Sequence, residues 1–129
     1  MPFKGERDIN FALALATTIA LRELRANPDL PKLYKSGVRY RRDVCKAPGV
    51  DGACERFLSP LQLLKERFGD CDDLAPYLAA QRIIEGDSKA RAVAIRSPGI
   101  GWHVIVKRGD GRKEDPSRVL GMGKKGKRK

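Results

Sequence analysis

A cysteine, a histidine and an aspartate follow one another along the chain, each in a short run suited to chemistry: Gly69-Asp70-Cys71-Asp72-Asp73-Leu74-Ala75, Gly101-Trp102-His103-Val104-Ile105-Val106 and Glu114-Asp115-Pro116-Ser117. His103 is the only histidine. These residue types are those of a thiol nucleophile, its base and the group that orients the base. Cys71 directly follows a strong capping residue at the start of an apolar periodic run, where a helix N-terminus and an imidazolium would both stabilise its thiolate. Asp72 and Asp73 act the other way, raising the thiol pKa unless they point away or cap the helix.

Other chemistries fit less well. Cys45, Cys54 and Cys71 are odd in number and unpatterned in spacing, which argues against a disulfide framework and fits a reducing compartment; a Cys45 to Cys54 bridge stays open. There is no Cys-x-x-Cys, so no metal site is expected. Asp70, Asp72 and Asp73 lack the glycine and the closing glutamate of a calcium loop.

The elements that must position the three residues can be read outward from them. Asp70 caps a helix over residues 71–85, with Leu74, Tyr77, Leu78 and Ile84 facing inward and Gly86 as its stop. Pro76 lacks a backbone donor and should tighten or kink the first turn. Ser59-Pro60 opens a shorter helix with Leu61, Leu64 and Phe68 as its apolar face, closed by Gly69. After Gly86 the period changes to alternation, so residues 90–96 and 102–108 read as strands joined at Pro98-Gly99. Gly109-Asp110-Gly111 is a hairpin turn, which pairs residues 112–115 antiparallel with the His103 strand. Centring that turn on Asp110 sets Asp115 opposite Ile105, within reach of the imidazole; a one-residue slip would turn it to the other face.

Residues 9–21, the longest apolar stretch, contain Asn10, Thr17 and Thr18 and fall short of the about 20 apolar residues that span a bilayer. They read as a buried helix capped by Asp8 and ended by Asn27-Pro28 and Pro31, so no membrane association is expected. A secretory signal is the weaker alternative, because Glu6 and Asp8 are acidic and the helical pattern continues through Arg22, Glu23 and Arg25. Between residues 35 and 59, Val38-Arg39-Tyr40-Arg41 reads as a short strand in a loop that carries Pro48, Gly49 and Gly52.

A chain of 129 residues supplies one core of ordinary size, so one domain over residues 1–121 and a basic flexible tail over 122–129 are expected. The excess of 27 Lys and Arg over 16 Asp and Glu gives +11, which favours acidic partners. Lys124, Lys125, Lys127, Arg128 and Lys129 concentrate much of it in the tail, a solvated segment able to touch nucleic acid non-specifically. Arg39, Arg41 and Arg42 cluster as well. Aromatic residues make up only 6% of the chain and form no stacking series with them, so salt-sensitive backbone contact is the most expected of a nucleic-acid role.

The motifs Gly-Asp-Cys-Asp-Asp-Leu-Ala, a strand carrying His, and Asp-Pro-Ser together resemble the transglutaminase-like superfamily of papain-type cysteine enzymes, small phage-encoded members above all. The resemblance spans roughly residues 35–122, with Val38 to Asp43 and Gly109 to Met122 echoing its pattern. It implies an α+β fold of papain/transglutaminase-like core: N-terminal helices, and a cysteine-bearing helix packed on a small antiparallel sheet that carries the other two residues. It implies Cys71 as nucleophile, His103 as general base and Asp115 as orienter, with no cofactor. For the oxyanion it implies the backbone N–H at the cysteine, with Gln62 and Tyr40 both open as the second donor. Trp102 either shields the imidazole or packs in its strand.

The implied reaction is acyl transfer: Cys71 attacks a peptide or glutaminyl carbonyl, and water or a lysine amine resolves the thioester. Peptide or amide hydrolysis is the leading outcome, beside deamidation and crosslinking. The alternative is a phage virion structural or assembly component of head, neck or tail that retains the fold and binds neighbouring virion proteins. Either reading places the protein in a virion or in host cytoplasm.

Overall fold

The structure, a computed structural model, describes residues 6–41, 58–97 and 101–122. Over these residues it is mixed helix and strand. Helix α1 (Glu6–Ala26) is followed by a single 3-10 turn, Leu33–Lys35, and strand β1 (Arg39–Tyr40). Then come α2 (Pro60–Glu66), β2 (Phe68–Gly69), α3 (Cys71–Ile84), β3 (Arg91–Ser97), β4 (Gly101–Lys107), β5 (Lys113–Glu114) and the short α4 (Pro116–Val119). No helix among the described residues is long and apolar enough to cross a membrane.

Strands β3, β4 and β5 form an antiparallel sheet in that order, and α1 and α3 pack on it. Val104 and Val106 join Leu74, Leu78, Leu13 and Ile9 in the core, while His103 and Ile105 alternate to the other face and are buried as well. The hairpin register is the unslipped one: Val106 faces Glu114 and Lys107 faces Lys113, which carries Asp115 toward Ile105.

A second, two-stranded parallel sheet pairs Arg39 with Phe68 and Tyr40 with Gly69. It ties the start of α3 to the end of α4, because Arg41 N–H donates to the Gly69 carbonyl at 2.8 Å and Tyr40 N–H to the Leu120 carbonyl at 2.9 Å.

Several local expectations are corrected. Helix α1 starts at Glu6, so Asp8 lies inside its first turn rather than capping it. Helix α2 stops at Glu66: Arg67 takes the left-handed conformation (φ 75°), and Phe68-Gly69 pair with β1 instead of extending the helix. Its buried side chains are Pro60 and Leu63, whereas Leu61 and Phe68 are exposed. In α3, Ile84 is exposed, and the helix runs unbroken through the buried Pro76, whose missing donor would have served the Asp72 carbonyl. Arg42, Cys45, Cys54, the Pro98-Gly99 junction and Lys124 to Lys129 lie outside the described residues.

Candidate active site

Cys71 is the first residue of α3, and its position is set by a double cap. Asp70 and Asp73 form a reciprocal capping box, in which Asp73 accepts from the Asp70 N–H at 3.0 Å and from the Leu58 N–H at 2.8 Å. Asp73 is therefore a buried structural carboxylate that locks the helix start to the segment before α2. Gly69 is where this locking leaves no room for a side chain: a Cβ there would strike the Leu63 side chain and stand 3.2 Å from the Asp73 Cβ.

The Cys71 sulfur meets two groups. The backbone N–H of Val104 donates to it, and the Asp70 carboxylate lies in hydrogen-bond contact with it. A strand amide lies in the plane of its sheet, so the thiol sits against the edge of β4, one residue along from His103. Burial raises the thiol pKa above the ordinary cysteine range, and the Asp70 charge adds to it; the Val104 donor only partly offsets these, and Asp72 raises it further. The thiolate expected from the helix N-terminus is thus not the resting form.

His103 is buried in β4 at 4% exposure, and its Nε2 lies 2.9 Å from Oδ2 of Asp115. An ionised carboxylate has no proton to give, so Nε2 carries the hydrogen and Nδ1 the basic lone pair. Nδ1 is buried with no hydrogen-bond partner among the described residues. Asp115 is itself fixed, because it is the N-cap of α4 and accepts from the Arg118 N–H through Oδ1, with Pro116 at the first helical position. Ser117, two residues on, is fully buried, and its hydroxyl has no partner among the described residues.

The structure therefore joins His103 to Asp115 and places Cys71 beside Val104, with no hydrogen bond between the thiol and the imidazole. Among the oxyanion donors weighed from sequence, the Cys71 N–H donates to Asp70 Oδ1 at 2.7 Å. Gln62 takes part in the α2 cap through its Oε1, which accepts the Ser59 N–H at 2.9 Å; that bond does not use its NH2 donors. Trp102 is half-buried against the core, with the Arg96 guanidinium 4.6 Å from its ring centroid, so it packs in its strand. At the two-stranded sheet that precedes α3, Arg41 lies 4.4 Å over the Phe68 ring. The role of the Val104 amide was not readable from residue types, because every residue but proline carries the same donor. Among the described residues no three His, Cys, Asp or Glu side chains gather into a metal-binding group.

In comparisons with known proteins, no family model, no curated protein and no solved structure matches the chain.

Proposed function

We propose that this chain is a transglutaminase-like cysteine enzyme of the phage type, with a papain-like core, that transfers acyl groups through Cys71, His103 and Asp115 and releases them chiefly to water. The observation that carries the reading is the state of His103. Its Nε2 is anchored by Asp115, and its basic Nδ1 is left buried and unclaimed beside the strand residue whose amide holds the Cys71 sulfur. An unpartnered buried nitrogen destabilises the fold unless something uses it.

A raised thiol pKa favours one of two forms of the mechanism. Burial and the Asp70 charge keep the resting thiol protonated, so the proton leaves Sγ for Nδ1 as sulfur attacks the carbonyl, rather than beforehand. The S–C bond forms, the oxyanion collapses, and the C–N bond breaks as Nδ1–H protonates the departing amine. Water, deprotonated by Nδ1, then cleaves the thioester and regenerates the thiol. Contact between thiol and imidazole forms when substrate displaces the Asp70 interaction, in line with catalytic hydrogen bonds that tighten only in the substrate complex.

The test is release of ammonia or of new amine termini from a mixture of glutaminyl and ordinary peptides. Activity lost in both Cys71→Ala and His103→Ala supports the proposal, and activity that survives either substitution refutes it. A second reading, a virion component that retains the fold without turnover, is favoured by Asp70, whose carboxylate occupies the Cys71 N–H that related enzymes aim at the oxyanion.

A further inference from the structure

The outer face of α1 is apolar where a solvated helix would be polar. Phe11, Leu15 and Ile19 are 67%, 53% and 52% exposed, and they lie on the side of the helix opposite the buried Ile9, Leu13, Thr17, Ala20 and Leu24. With about 3.6 residues per turn, Asp8, Phe11, Leu15, Ile19 and Arg22 fall within an arc of about 80°. Asp8 and Arg22 are both exposed, and neither forms an ion pair among the described residues.

The order of these residues is symmetric about Leu15. Asp8 precedes it by as many positions as Arg22 follows it, and Phe11 and Ile19 are likewise equidistant. We infer that α1 pairs with α1 of a second copy of this chain, antiparallel, about a two-fold axis at Leu15. In that arrangement Leu15 meets Leu15, Phe11 meets Ile19, and Asp8 of each copy meets Arg22 of the other. A parallel pairing would set Asp8 against Asp8 and Arg22 against Arg22, so the charges choose the antiparallel one. The shape agrees. Ile19 borders a groove between α1 and α2 that is also lined by Ala16, Leu58 and Leu61, and the Phe11 ring of the second copy fills it. Leu61, exposed on α2, thereby gains cover.

The test is sedimentation equilibrium of the full chain from low micromolar to several hundred micromolar, with far-UV circular dichroism to verify folding. A concentration-dependent dimer is expected, abolished by Leu15→Glu with an unchanged spectrum. Asp8→Arg and Arg22→Asp should each weaken it about tenfold, and the double reversal should restore it. A monomer at every concentration would overturn the inference and leave the face to another protein. A dimer indifferent to Leu15→Glu, or single reversals without effect, would overturn it equally.

Discussion

Asp115 divides its carboxylate between two tasks, holding His103 Nε2 at 2.9 Å through Oδ2 and capping α4 at the Arg118 N–H through Oδ1. The cap helps aim the carboxylate at the ring, and its Oδ2 contact with Nε2 sets the tautomer. His103 is the only histidine, which makes its ring nitrogens unambiguous by NMR. The neutral ring should carry its hydrogen on Nε2 in the parent and populate both tautomers in Asp115→Ala, with loss of the cap costing about 1 kcal/mol. Spectra unchanged by the substitution would remove Asp115 from the orienting role.

Burial and the neighbouring Asp70 charge hold the Cys71 thiol above its ordinary range. Iodoacetamide should label Cys71 more slowly near neutrality than a free cysteine of pKa about 8.5, with the rate still climbing above that pH. Asp70→Asn keeps a capping side chain and removes the charge, so it should lower the thiol pKa and speed labelling several-fold. The fold favours the neutral thiol, so this contribution to stability is whole below about pH 8.5 and is lost as pH rises. Labelling that peaks near neutral pH and ignores Asp70→Asn would refute the assignment.

Gly69 sits where a Cβ would press on the buried Leu63 and close on Asp73. Gly69→Ala is expected to destabilise by about 1–3 kcal/mol, as overpacking does. Because Asp73 holds the start of α3, the damage should also reach Cys71. Denaturant unfolding together with the Cys71 labelling rate checks both, and an Ala variant of parental stability would show that Leu63 yields freely.

Glu114 joins α3 to the hairpin, accepting from Arg82 at 2.9 Å and from Arg108 at 3.2 Å. Its hydrogen bonds to Arg82, more than any other influence, hold its carboxyl below the usual glutamate value of 4.5. A lowered pKa gives stability that is present above the unfolded value and lost as pH falls through the folded one. Glu114→Gln should cost about 1–3 kcal/mol near neutrality and progressively less in acid, where the parent carboxylate is protonated too. Thermal melts at neutral and acid pH measure the difference; an equal loss at both would contradict the charge argument.

Where residues carry strong local instructions, the fold was legible. Asp70 and Gly86 bracket α3, and Gly109-Asp110-Gly111 set the hairpin register that directs Asp115 toward Ile105. Asp115-Pro116 was readable in part, since an aspartate before a proline is a strong helix start, yet α4 itself went unanticipated. Strand β2 is only Phe68-Gly69, too short for any alternation, and exists because β1 lies beside it. Arg67 has no glycine to announce its left-handed turn. At the site, residue types pointed to a thiol, a ring and a carboxylate, of which the structure joins the ring and the carboxylate. They pointed both ways on the thiol shift, the helix N-terminus lowering the pKa and the acidic neighbours raising it; burial and Asp70 facing the sulfur, both products of packing, turn it upward.

The proposed function rests on one step, in which His103 takes the proton of a neutral Cys71 thiol as sulfur attacks a carbonyl. The most direct measurement is acylation by p-nitrophenyl acetate, with peptide mass spectrometry to locate the acetyl group among Cys45, Cys54 and Cys71. An acetyl thioester on Cys71 that water turns over is expected, with the acylation rate about a hundredfold lower in His103→Ala. Acetylation that is no faster at Cys71 than at the other two cysteines, or that is indifferent to His103→Ala, would contradict it.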